Sequence, residues 1–186
     1  MVCNERVDLV EQMKLLGVII TSDLKWHKNT NHITTKAFGR IWMLKRLKNM
    51  GASTKVLLDV YCKQVRSVVE FAAVVWTSGL TLENSIQIER VQKSAFSVIL
   101  GPAYKSYHEA CSSLNMETLE DRRKQLSSTF ATKSATHPEH RSWFVQNMNN
   151  INTRSEKTLY LPAQGRTQRF MNSPIPYLTE LLNANS

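Results

Sequence analysis

The sequence predicts a mainly α-helical fold: a bundle of helices with a short N-terminal strand or hairpin before it and an irregular C-terminal tail after it. Three observations point there. Apolar residues recur at three- and four-residue spacing in three successive segments between Ile33 and Val98, the pattern that lines one face of a helix. One short β-branched run, Lys14 to Ile20, precedes them. After Thr136 the periodicity dissolves into Asn, Pro and Gly. Of 186 residues, 42% are hydrophobic and 21% charged. Such a chain can build a core and lacks the composition that keeps chains disordered.

Taken in order, Lys14-Leu-Leu-Gly-Val-Ile-Ile20 reads as one strand interrupted by Gly17, with Thr21-Ser-Asp23 as turn chemistry behind it. Ile33, Ala37, Ile41, Leu44 and Leu47 share one face of a helix that ends before Gly51. Ser53 is placed to cap the next helix, where Leu57, Tyr61, Val65, Val68, Ala72 and Trp76 recur over more than five turns. Its valine-rich Val68 to Trp76 stretch leaves a strand open on propensity alone. Thr81 opens a third helix with Ile88, Val91, Ala95 and Val98 on one face, and Gly101-Pro102 stops it. A short helix follows at Tyr107 to Leu114, and Thr118 with Asp121 has the spacing to cap another. Asn147, Asn149, Asn150, Asn152, Pro162, Gly165, Pro174 and Pro176 mark the tail, with a short helix at Tyr177 to Asn183. The expected divisions are residues 1–24, a helical body at 25–136, and a Pro/Asn-rich tail at 137–186.

Charge is the first quantity that bears on function. The chain carries 24 Lys/Arg against 15 Asp/Glu, a net charge of +9, and the excess is uneven. Between Lys25 and Lys55 there are eight basic residues and no acid. Lys36, Arg40 and Lys48 flank the apolar face of the first helix while Lys45 and Arg46 point away from it, so positive charge surrounds that helix. A polyanion, and nucleic acid first among them, is the natural partner; the alternative is a solvated basic surface. Lys25, Lys28, Lys36, Arg40, Lys45, Arg46, Lys48, Arg90, Lys93, Arg122 and Arg123 are the candidate phosphate contacts.

Other classes find little support. The longest uncharged apolar run, Phe71 to Trp76, is far below the roughly 20 residues of a membrane span. Glu5, Arg6 and Asp8 stand where a signal peptide needs an apolar stretch, so an intracellular chain is expected, in nucleus or cytoplasm. Cys3, Cys62 and Cys111 are odd in number and widely spaced, which suits reduced thiols.

Five separated segments resemble the carboxy-terminal region of non-LTR (LINE-type) reverse transcriptases, just after the catalytic palm. Lys14-Leu-Leu-Gly-Val-Ile-Ile20 with Asp23-Leu-Lys-Trp26 and Asn31-His-Ile33 is similar to the family's LGV-x-x-D-x-x-L-x-W…HI run. Arg66-Ser-Val-Val-Glu-Phe-Ala-Ala-Val-Val-Trp76 is similar to RP-x-x-EYA-x-PVW, with Ser67 and Val74 where the family has proline. Ile88-Glu-Arg-Val-Gln-Lys-Ser-Ala95 with Ile99-Leu-Gly101 resembles LERVQ-x-x-A…ILG. Thr118-Leu-Glu-Asp-Arg-Arg123 resembles TLE-x-RR, and Asn172-Ser-Pro-Ile-Pro-Tyr177 with Leu181-Leu-Asn183 resembles the closing residues. The resemblance implies a strand near the primer end, at Leu16, Gly17 and Val18, followed by a helical thumb that grips an RNA–DNA or DNA duplex. Replacing the two prolines implies a straighter central helix. The palm, with its Mg²⁺, would lie upstream, and no cofactor is expected in this chain.

Catalysis is not expected here. A polymerase holds two Mg²⁺ ions with clustered carboxylates, whereas Asp8, Asp23, Asp59 and Asp121 are dispersed and Glu120-Asp121 reads as first-turn helix chemistry. His137 and His140, separated by Pro138 and Glu139 with no Cys pair near, read as exposed loop histidines rather than zinc ligands. Cys62 and Cys111 read as inert thiols. Of the four tryptophans Trp76 belongs to a core series, and Trp42, off the main apolar face, is the one to test for base stacking. Two functions compete: a duplex-gripping thumb module, or a helical protein-interaction or structural domain, including a degenerate copy with no present role.

Overall fold

The computed structural model describes residues 9–147, 159–161 and 164–184. Cys3, Glu5, Arg6, Asp8, Asn149, Asn150, Asn152 and Pro162 lie outside them. The described elements are β1 (Gln12–Leu15), β2 (Val18–Thr21), α1 (His27–Asn49), α2 (Thr54–Val60), α3 (Ser67–Val69), α4 (Ala73–Trp76), α5 (Leu82–Leu100), α6 (Tyr107–Ser113), α7 (Leu119–Thr136), α8 (Gln168–Met171) and α9 (Pro174–Ala184). The chain is therefore mainly α-helical with a short N-terminal hairpin. Contacts divide it into two units otherwise than the sequence divisions: unit 1 is Met1–Val69 with Leu80–Ile99, and unit 2 is Glu70–Gly79 with Leu100–Ser186.

In unit 1, β1 pairs antiparallel with β2 in the register Gln12↔Thr21 to Leu15↔Val18. Leu16 and Gly17 are left as a two-residue turn with φ of 46° and 91°. Two positive φ values are the mark of the hairpin turn whose twist suits antiparallel strands, and glycine accepts its half without strain. The run read as one strand is thus a hairpin: Leu16 and Gly17 are its turn, and Val18 is the buried first residue of β2. The Ile19 amide donates to Asn29 Oδ1 at 3.1 Å, which ties β2 to α1.

Helix α1 buries Ile33, Ala37, Ile41 and Leu44 as its periodicity requires. It stops at Gly51 (φ 83°), where the Gly51 amide donates to Lys48 O and the Ala52 amide to Leu47 O, the double bond of a left-handed glycine cap. The Ser53 hydroxyl accepts from the Val56 amide and starts α2. A π-helical stretch, Tyr61–Arg66, then leads into α3. Tyr61 is fully buried; its ring meets Phe96 edge-on at 5.4 Å and its hydroxyl donates to Gln92 Oε1 at 2.6 Å. Leu57, Tyr61, Val65, Ile88, Val91, Ala95 and Phe96 form the centre of this core. Each stabilises the fold by about 1.5–3 kcal/mol at the larger side chains.

The central helix does not run straight to Trp76. It breaks after Val69, Ala72 takes the left-handed conformation (φ 50°, ψ 30°), and α4 is a separate short helix in unit 2. The break has a local cause within unit 2: Trp76 is fully buried, and its indole N–H is satisfied by the Phe71 carbonyl at 3.0 Å, which needs the chain to fold back between them. The straight helix expected with Ser67 and Val74 in the segment is therefore not formed. The Ser67 hydroxyl donates to Lys63 O at 2.6 Å.

Unit 2 is built on α7 and α9. Thr118 caps α7, accepting from the Asp121 amide at 3.1 Å while its hydroxyl donates to Asp121 Oδ2 at 2.6 Å. Asn115 (φ 50°) closes α6 as Gly51 closes α1, with the Met116 amide donating to Cys111 O. Ala131, Phe144, Leu178, Leu181 and Leu182 make one apolar cluster, with Val74, Ala135, Tyr160 and Tyr177 against it. The expected irregular tail therefore supplies four of the five members of this cluster. Asn183 holds it in place, its side-chain amide donating to Tyr160 O and accepting from the Tyr160 amide, both at 3.0 Å. Among the described residues no helix is long and apolar enough to cross a membrane.

Candidate nucleic-acid interface

All the candidate cations except Arg122 and Arg123 fall in unit 1, which holds 14 Lys/Arg against 7 Asp/Glu, while unit 2 holds 10 against 8. The charge excess of the sequence is thus concentrated in one compact body. Helix α1 is its main carrier: 23 residues long, it has no acid in its sequence and spans about 35 Å at 1.5 Å per residue.

The individual cations differ in what they can reach. Lys28, Lys36, Lys45 and Arg46 on α1 and Arg90 on α5 are exposed or nearly so, with Lys93 half-buried. Arg46 lies over the Trp42 ring, 5.0 Å from guanidinium carbon to ring centroid. Lys25 stands 3.8 Å from Asp23, both exposed, an ion pair too weak to remove it from the surface. Asp23 is itself held below the usual carboxylate range, first by the Thr21 hydroxyl at 2.6 Å and then by the Lys25 amide.

Of the expected phosphate contacts, Lys48, Arg122 and Arg123 are partly or fully buried, while Arg40 makes a hydrogen bond at the surface. Arg40 donates to the Gln64 carbonyl. Lys48 donates to the carbonyls of Val98 and Ile99 at 2.6 and 3.1 Å, half-buried at the end of α5. Arg122 pairs with Glu70, Nε to Oε1 at 3.1 Å and Nη2 to Oε2 at 3.4 Å, with side chains 27% and 14% exposed. Arg123 is 2% exposed and cannot present its charge to a phosphate. Its positive charge bears instead on Tyr177, whose phenol burial pushes up and Ser127 and Arg123 draw back. Lys48, Arg122 and Arg123 are thereby taken up by the fold, and the candidate surface cations are Lys25, Lys28, Lys36, Arg40, Lys45, Arg46, Arg90 and Lys93.

Aromatic groups complete the surface inventory. Trp42 is 59% exposed and Phe38 41%, one turn apart on α1 and away from its buried face, whereas Trp76 is core. In unit 2, the rings of His137, His140 and Trp143 stack in sequence, at 4.7 and 4.4 Å between centroids. The ligand atoms of His137, Glu139 and His140 lie within 4.8 Å of one another, the one such group among the described residues, so the intervening Glu139 that counted against a metal in the sequence is brought beside the two rings. The ring stacking and the Glu139 amide, which donates to His137 Nδ1 at 3.3 Å, use these histidines in a different way. Cys62 is half-buried and Cys111 buried. Asp59 pairs with Lys63 at 2.7 Å, and Glu120 and Asp121 sit in the first turn of α7.

Set against protein-family models, curated proteins and solved structures, the chain gives no match.

Proposed function

We propose that this chain is a duplex-gripping module, the non-catalytic post-palm end of a LINE-type reverse transcriptase. It binds the phosphate backbone of an RNA–DNA or DNA duplex inside the cell, carries no cofactor of its own and relies on an upstream palm for Mg²⁺. The observation that carries the reading is the acid-free α1 in unit 1. Its exposed cations Lys28, Lys36, Lys45 and Arg46 are spread over 18 residues, about 27 Å of helix. Lysine and arginine without a helix inserted among base edges fix position and do not read sequence. The five motif resemblances support the same reading independently of charge.

A protein-interaction module is the second reading. It draws on β1, whose residues are all exposed, with Met13 and Leu15 about half exposed and Leu16 at 88%. Such an edge offers unpaired backbone groups to another strand. In the first reading that strand belongs to the palm.

Fluorescence anisotropy with labelled 16-base-pair duplexes of unrelated sequence tests the proposal. Binding at about 50 mM salt with affinities equal within threefold is expected. Absence of binding to every duplex, with the chain folded by circular dichroism, would leave the interaction module in its place.

A further inference from the structure

We infer that the groove between α1 and α5 in unit 1 seats an unpaired nucleotide, with its base on Trp42 and its phosphates against Lys45 and Lys93. The inference rests on the nucleic-acid reading above and adds to it a single-stranded substrate that a phosphate-gripping surface does not require.

The groove is an open one of about 620 Å³ along Phe38, Trp42, Lys45, Lys93, Ser94 and Ser97, with Ile41 and Val98 at its floor and edge. Its lining has two cations, two hydroxyls and no carboxylate, which matches a sugar-phosphate and not an acid-bearing peptide. The aromatic pair is out of place for a core. Phe38 and Trp42 stand one turn apart on the flank of α1, while Ile33, Ala37, Ile41 and Leu44 bury the other side. The indole is already engaged on a face by Arg46 at 5.0 Å, and a base against the opposite face completes a guanidinium–indole–base stack. Ser94 and Ser97, one turn apart on α5, set hydroxyls where sugar or phosphate oxygens would pass.

Stacking separates the two substrates. In a duplex each base face is covered by its neighbours, so Trp42 gains nothing from it. In a single strand or a frayed end the face is open, and aromatic stacking contributes about tenfold or more per base.

The test compares labelled 12-mer oligo-dT with a 12-base-pair duplex, using the full chain, Trp42→Leu, Trp42→Phe and Lys45→Gln/Lys93→Gln, each checked for helicity by circular dichroism. Trp42→Leu is expected to weaken oligo-dT binding about tenfold and leave duplex binding within twofold. Trp42→Phe, which keeps a ring, recovers most of the loss, and Lys45→Gln/Lys93→Gln weakens the oligonucleotide further at low salt. If Trp42→Leu binds oligo-dT as tightly as the unmodified chain while the duplex still binds, the seat is wrong and the duplex reading stands. If the unmodified chain binds neither, both fail. If Trp42→Leu instead dissociates an oligomer by sedimentation and leaves both affinities unchanged, the groove covers protein and the inference is overturned.

Discussion

Lys48 closes the carboxy-terminal end of α5, donating from Nζ to the Ile99 carbonyl at 3.1 Å and to that of Val98 at 2.6 Å. A cation at this end satisfies carbonyls with no intrahelical partner and faces the negative pole of the helix dipole. Lys48→Met keeps the aliphatic stem and removes the charge. We expect it to lower the unfolding free energy by about 1 kcal/mol in urea titration and to leave duplex affinity within twofold. A large loss of affinity with unchanged stability would return Lys48 to the interface.

Gly51 offers a second check on the same unit. Its φ of 83° is favourable for glycine, and the space around it is open, so an added methyl meets only backbone strain. Gly51→Ala should cost about 1 kcal/mol, and Gly51→Asn less, because asparagine tolerates the left-handed region. Equal stability of the alanine variant would show that the cap is not held at Gly51.

What the sequence disclosed and what it hid follow from the range of the interactions. Ser53, Gly51, Thr81, Gly101 and Thr118 announced helix ends because a cap is made within a few residues; Thr81 indeed accepts from the Asn84 amide at 3.2 Å. The break at Glu70 to Ala72 was hidden, since Leu57, Tyr61, Val65, Val68, Ala72 and Trp76 keep helical spacing straight through it and no Gly, Asn or Pro marks the left-handed residue. The hairpin was half visible: Gly17 signalled a turn, but Leu16 at positive φ did not. At the interface, acid-free charge located α1. The partners of Arg40, Lys48 and Arg122 lie 24, 51 and 52 residues away, beyond any local pattern. Arg123 shares a buried face with Leu119, Ser127, Ala131 and Ser134, and that face is too polar to be read as inward.

The Glu70–Arg122 pair should couple within unit 2. Two-point contact between largely buried groups predicts a coupling energy of about 1 kcal/mol in a double-mutant cycle of Glu70→Gln and Arg122→Gln. Neither single change should weaken duplex binding. Coupling near zero, with reduced affinity on losing Arg122, would restore it as a phosphate contact.

Asp23 makes stability pH-dependent in a definite direction. The Thr21 hydroxyl and the Lys25 amide hold its folded pKa below the ordinary 3.8, so the folded chain binds that proton less readily than the unfolded chain. The stabilisation is complete above the ordinary value and is lost as pH falls through the lowered one. Asp23→Asn keeps an acceptor without the charge. It should be less stable than the parent at pH 7, with the gap closing as pH falls below the ordinary 3.8 in urea melts. A gap that stays constant with pH would mean that the Asp23 charge does not contribute.

The central claim is that exposed cations of α1 neutralise phosphates, and the salt dependence of duplex affinity measures it directly. With ~5 contacts, the slope of log affinity against log salt should be about −4.5, so that raising salt from about 50 to 200 mM weakens binding by two to three orders of magnitude. Replacing Lys28, Lys36, Lys45 and Arg46 together by glutamine should flatten the slope by up to about 3.6 with helicity unchanged, since these side chains lie off the buried face. A slope in the quadruple variant as steep as in the parent would contradict the account.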